Sequence, residues 1–269
     1  MRVRTASQRL QKKNYQWREP TPCVEADILR VHSPQIFNAV RSGSFFDSDT
    51  PNIPGLYEHA LLAAGSACNA AEAALNGQPA FSLMRPPGHH AERNRVMGFC
   101  YFNNIAIAVA RVLEGKGGGD HKPPLQRVVI VDFDCHHGNG TEDIFLGDQR
   151  VLFVSLHQSP CYPGTGLRSR ENCRNYPLPP NTDENSYLVA FDRALDEIRN
   201  FQPQLLAISA GFDAHEADPI TEMGLEVETF GKIGERLRAL HVPTFAVLEG
   251  GYGMQFAACV EVFVESLNG

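Results

Sequence analysis

Five short apolar runs punctuate the chain: Ala80 to Met84, Val128 to Val131, Val151 to Leu156, Leu205 to Ser209 and Thr244 to Leu248. Each is continuously apolar rather than alternating, which is the pattern of strands covered on both faces. Between several of them, Ala60 to Leu75, Asn104 to Leu113, Ser186 to Phe201 and Val227 to Leu240 carry apolar residues at helical spacing. Strands alternating with helices predict an α/β fold, one domain built on an open, mostly parallel sheet with helices on both faces. Gly117 to Gly119 with Pro123-Pro124, and Pro177 to Asn185, predict surface connections. No linker or internal repeat divides the 269 residues.

Composition narrows the function classes. With 43% apolar and 20% charged residues the chain is of ordinary globular make-up, and its formal charge of −7 argues against nucleic acid as a partner. No run approaches the ~18 apolar residues of a membrane span, so no membrane role is expected. The first 18 residues hold six basic side chains and no acid, without an apolar stretch behind them. Residues 1–30 therefore read as a basic N-terminal segment, a solvated arm or a transit segment, ahead of a domain over 31–269. Seven cysteines without paired spacing suggest reduced thiols and a cytoplasmic location.

The chemistry lies where the strands end, since ligands of open α/β sheets bind beyond the carboxyl ends. The first run leads into Arg85-Pro86-Pro87-Gly88-His89-His90 and the second into Asp132-Phe133-Asp134-Cys135-His136-His137-Gly138-Asn139-Gly140. The fourth leads into Ala210-Gly211-Phe212-Asp213-Ala214-His215-Glu216-Ala217-Asp218-Pro219, and the fifth into Glu249-Gly250-Gly251-Tyr252-Gly253. Parallel strands set all four loops along one rim.

Extended backbone repeats every two residues, so Asp132, Asp134 and His136 project from one face while Phe133 and Cys135 pack on the other. Two carboxylates and an imidazole at a sheet edge need a cation, or a hydrogen-bonded polar network, to offset their desolvation. Asp134 and His136 with a distant Asp make an oxygen and nitrogen donor set with an open position, suited to catalytic Zn2+ and tolerant of Fe2+, Mn2+ or Co2+. His89 and His90, set by a rigid Pro-Pro-Gly turn, offer a base and an acid in the right titration range. Tyr252, after two glycines, can present a phenol to a developing oxyanion.

These segments, Arg85 to Asn104, Val129 to Phe145, Ser155 to Gly166, Ile208 to Pro219 and Leu248 to Gly253, closely resemble the histone deacetylase family, which includes acetoin-utilisation proteins and acetylpolyamine amidohydrolases. The resemblance implies an arginase/deacetylase-like sheet and a zinc-dependent amidohydrolase that removes acetyl or other acyl groups from lysine side chains. It implies Asp134, His136 and Asp218 as metal ligands, His89 and His90 as the tandem imidazoles, Tyr252 as the carbonyl-polarising phenol, and Asp132 behind His89. Asn139 stands where some subfamilies have a second Asp, and with Gly140-Thr141-Glu142 looks more like class II; a Tyr at 252 departs from the weakly active class IIa pattern. Gly98, Phe99 and Tyr162 resemble tunnel walls, Asp49 a rim carboxylate, and Leu225 stands at the expected gatekeeper position. The family's structural K+ implies Asp132, Asp134, His136, Ser155 and Leu156, and a second such site Phe145, Asp148, Val151 and Tyr187. The family's opening strand and His-Pro-Glu segment have no counterpart here.

The substrate implied is an acylated lysine peptide or protein, or an acylated amine such as an acetylpolyamine. A two-metal ureohydrolase, faintly echoed by Asp213-Ala214-His215, and a non-catalytic acyl-lysine-binding module are the competing readings.

Overall fold

The computed structural model describes residues 2–115 and 124–269, so the predicted Gly117 to Gly119 connection lies outside the described residues. The strands are β1 Ala80–Ser82, β2 Val128–Asp132, β3 Val151–Gln158, β4 Cys173–Leu178, β5 Leu205–Ala210 and β6 Thr244–Leu248. They form one parallel sheet in the order β1-β6-β5-β2-β3-β4. All five predicted strands are present, and the sheet adds β4. That strand was hidden by Pro177, which an edge position tolerates because its missing N–H costs no ladder bond.

The helices are α1 Arg2–Leu10, α2 Glu25–Ile28, α3 Pro34–Ser42, α4 Leu56–Leu75, α5 Asn104–Leu113, α6 Asn139–Phe145, α7 Glu184–Phe201, α8 Val227–Arg238 and α9 Phe256–Asn268. Strand parity sorts them into two layers. Val129, Val131, Leu206 and Ile208 face a core shared with α1, α7, α8 and α9, whereas Val128, Ile130, Leu205 and Ala207 face α2 to α5. Each of these side chains is fully buried, and the Val, Leu and Ile among them contribute about 1.5–3 kcal/mol each.

The basic N-terminal stretch is not a solvated arm. It forms α1, which lays Ala6 and Leu10 against the core and pairs Arg9 and Lys13 with Glu261 of α9. Its periodicity was masked in the sequence by six cations within 18 residues. Among the described residues no strand precedes β1, and no helix is long and apolar enough to cross a membrane. All seven cysteines are free.

Candidate active site

β2 and β5 pair in parallel with Asp132 opposite Ser209, so the loops leaving them start level. With the loops after β1 and β6 they enclose a cavity of about 230 Å3, walled by His89, His90, Asp134, His136, Asp213 and Tyr252. The alternation expected after β2 is present: Phe133 and Cys135 enter the hydrophobic core, while Asp132 and Asp134 are buried among polar partners.

Asp134, His136 and Asp213, all buried, each present one donor atom within 4.8 Å of the others. His136 Nδ1 lies 3.1 Å from Asp134 Oδ1 and 3.0 Å from Asp213 Oδ2. Burial disfavours the imidazolium, but the bonds to these two carboxylates hold its pKa well above the ordinary value. Two carboxylate oxygens and one imidazole nitrogen converging in a buried pocket fit a divalent cation of the Zn2+ type. Gly250 makes room for the cluster: a Cβ there would collide with both Asp134 and Asp213, and its N–H donates to Asp134 Oδ2 at 2.7 Å.

Asp218, expected as the third ligand, does not join this cluster. Its Oδ2 accepts the N–H groups of Tyr252 at 2.6 Å and Gly253 at 3.0 Å, and its Oδ1 accepts that of Ile220 at 3.2 Å. Asp213, which sequence reasoning did not single out as a ligand, stands beside His136, while Asp218 holds the Tyr252 turn at the same cavity.

The tandem imidazoles stack with ring centroids 4.0 Å apart and have different partners. His89 Nδ1 stands 2.9 Å from Asp132 Oδ2; burial opposes its charge, but Asp132, Asp134 and Glu249 outweigh that and push its pKa up to about 10. His90 Nδ1 stands 2.8 Å from Asn139 Oδ1, and burial with the neighbouring His89 and His136 pushes its pKa well down. Tyr252 shares the cavity wall, its ring 6.3 Å from that of Phe99 and 4.7 Å from the Arg2 guanidinium carbon. Burial raises the phenol pKa, so Tyr252 keeps its proton near neutral pH.

Phe99 and Tyr162 are half-exposed across the cavity, with Tyr162 5.1 Å from the His90 ring. Gly98 adopts φ +59°, and a Cβ there would press on His90 at 2.5 Å, so this position admits only glycine. Asp49 is exposed at the cavity, as a rim carboxylate would be. Leu225 is fully buried in the core, where the chain bridges back to His215, and Ile220 is among the residues lining the cavity.

Of the residues expected around K+, Asp132 and Ser155 are partners across β2 and β3, and Leu156 follows Ser155 into the core. Three residues of the second set converge on one side-chain amide. The carbonyls of Phe145, Asp148 and Val151 accept from the Asn172 amide at 2.9, 3.2 and 2.9 Å, while Tyr187 lies in the core on the other face of the sheet. Glu249, another residue that sequence reasoning passed over, is fully buried behind the imidazole pair.

A sequence model of the histone deacetylase domain matches residues 1–267. The chain is 41% identical over 261 residues to a probable deacetylase of Archaeoglobus fulgidus, covering 89% of this chain and 70% of that one. It is 35% identical over 283 residues to a histone deacetylase-like amidohydrolase of Pseudomonas aeruginosa, covering 94% and 71%. The crystal structure of an acetylpolyamine aminohydrolase from Burkholderia pseudomallei superposes with a TM-score of 0.90 at 28% identity, over 99% of this chain and 90% of that one.

Proposed function

The chain belongs to the histone deacetylase family, and from that premise we propose that it is a metal-dependent amidohydrolase that removes acyl groups from lysine side chains of peptides or proteins. The observation that carries this reading is the convergence of Asp134, His136 and Asp213 beside the His89–His90 pair in one aromatic-walled cavity.

Phe99 and Tyr162, both at the cavity wall, would flank the apolar stem of an acyl-lysine and lead its amide toward the carboxylate cluster. Tyr252, a protonated phenol, donates to the carbonyl oxygen as negative charge develops on it. His90, neutral because of its burial and paired only with an amide, takes the proton of the attacking water at Nε2. His89, held charged by Asp132, keeps the balance of positive charge beside it. A Zn2+ ion, or Fe2+, Mn2+ or Co2+, held by Asp134, His136 and a third carboxylate, Asp218 by the family resemblance or Asp213 by its position beside His136, would supply Lewis acidity and acidify a water. The resemblance further implies K+ at Asp132, Asp134, His136, Ser155 and Leu156.

Ile220 favours lysine over a polyamine. An extra ammonium within the cavity would need a carboxylate partner, and Ile220 offers none at that wall. Among the described residues the metal donors form a single cluster, which weighs against a two-metal ureohydrolase. The test is to profile the zinc-loaded protein against acetyl-lysine peptides, acetylspermidine and acetylputrescine. Peptides should show the higher kcat/KM; about tenfold preference for a polyamine, ~1.4 kcal/mol of discrimination, overturns the substrate reading, and no hydrolysis of any amide overturns the activity.

A further inference from the structure

The mechanism above leaves one buried charged group without a task. Glu249 is the first residue beyond β6 and is fully buried. Both of its carboxylate oxygens are engaged: Oε2 accepts the N–H groups of Gly88 at 2.7 Å and His89 at 3.2 Å, and Oε1 accepts the Ser209 hydroxyl at 3.0 Å. Its own main chain is tied down too, its carbonyl accepting from the Arg2 guanidinium at 3.0 Å.

Burying a carboxylate is costly, and the partners found here are neutral backbone and hydroxyl donors. What the group secures is the turn bearing the tandem imidazoles. Gly88 and His89 are consecutive, and no strand ladder satisfies their N–H groups. The ring tips of His89 and His90 are fixed at Nδ1 by Asp132 and Asn139. Fixing the tips orients the imidazoles only if the backbone they hang from is also fixed.

We propose that Glu249 is a positioning residue for the His89–His90 pair, accepting the two N–H groups of their turn and so setting where both imidazoles face the cavity. The inference rests on the amidohydrolase reading above, in which these imidazoles move the protons. It acts through hydrogen-bond acceptance at a stated reach. Gln retains an acceptor oxygen for the turn and an amide N–H for Ser209; Asp retains the charge but withdraws it by one methylene; Ala leaves all three donors unmet.

The experiment compares zinc-loaded wild type with Glu249→Gln, Glu249→Asp and Glu249→Ala, reading kcat, KM and zinc content on an acetyl-lysine peptide. Backbone hydrogen exchange is followed in parallel across residues 86–91. Displacing a catalytic group by about 1 Å costs ~100-fold, so kcat should fall ~100-fold in Ala, and substantially in Asp, with KM and zinc content little changed. Gln should restore kcat to within about fivefold of wild type, because acceptance rather than charge is what the turn needs. Exchange at Gly88 and His89 should accelerate by about tenfold or more in Ala and Asp only, reporting the opened turn. Should Ala fail to fold, Asp against Gln decides the matter. Wild-type exchange and kcat in Asp, or a Gln variant as impaired as Asp, overturn the proposal. A wild type that hydrolyses no amide overturns the functional reading instead, and is told apart by the exchange pattern, which needs no turnover.

Discussion

Asp213 Oδ2 meets His136 Nδ1 at 3.0 Å because the two residues stand at matching distances beyond a paired rung of the sheet. Asp132 pairs with Ser209, and His136 and Asp213 each lie four residues farther on. Asp218 lies nine residues past Ser209 and belongs to a different turn.

Substitution identifies the third carboxylate at the metal. Asp213→Asn is expected to lower Zn2+ affinity by about tenfold to 100-fold or more, since a carboxylate donor becomes a weaker amide. Asp218→Asn should lower zinc affinity by a similar factor, as the ligand set implied by the family resemblance requires. Zinc content after dialysis against a chelator of graded strength checks both variants; a variant that keeps its zinc as wild type does removes its carboxylate from the ligand set.

Proton inventory is set by what lies behind each imidazole. Asn139 bonds His90 at 2.8 Å and also donates to Glu92 at 2.7 Å. Converting it to Asp while changing Glu92 to Gln places a carboxylate behind His90 without a like charge beside it. The His90 pKa should rise by about one unit or more, so the base form is lost at a higher pH and the acid limb of the kcat/KM profile moves up. A profile that stays in place, or moves down, removes His90 from the role of base.

Tyr252→Phe removes only the phenol hydroxyl and keeps the ring that packs against Phe99 and Arg2. Turnover should fall by ~10²–10³, the usual loss for one oxyanion donor, with zinc content and melting temperature unchanged. A Phe variant of near-normal turnover leaves the phenol with a packing role.

Ile220→Glu tests the specificity assignment at the cavity wall. The new carboxylate should raise the kcat/KM ratio of acetylspermidine over an acetyl-lysine peptide by about tenfold or more, ~1.4 kcal/mol. The same change at Leu225, which is fully buried in the core, should lower stability and leave the ratio of any remaining activity unaltered.

Acid should destabilise the fold through a buried histidine remote from the metal cluster. His32 donates from Nδ1 to the Glu92 carbonyl at 3.0 Å and accepts at Nε2 from the Asn103 N–H at 2.8 Å, which specifies the neutral ring. Burial lowers its pKa from 6.5 to about 4, so the unfolded chain takes up the proton first as pH falls. The stability it contributes is complete above about pH 6.5 and is lost progressively down to about pH 4, at up to ~1.4 kcal/mol per pH unit. Urea midpoints between pH 7.5 and 5 should show this slope, and His32→Asn should make it shallower by up to one proton; an unchanged slope rules His32 out as the source.

What the amino-acid sequence determined by itself is local. Continuously apolar runs such as Val128 to Val131 need cover on two faces, which already demands a buried sheet with helices on both sides. Strand parity put Asp132, Asp134 and His136 opposite Phe133 and Cys135, and the Pro-Pro-Gly turn marked His89 and His90 as a pair. Only the tertiary structure decided which distant residues meet. The register of β5 against β2 brought Asp213 to His136, and the path of the loop beyond it put Ile220 at the cavity and sent Leu225 into the core. The approach of β6 to β1 set Glu249 under the imidazole turn, and the packing of α1 on α9 brought Arg2 to Tyr252. These are meetings between segments far apart along the chain. Their geometry follows from how layers pack and strands align, which no local pattern of apolar and polar residues records.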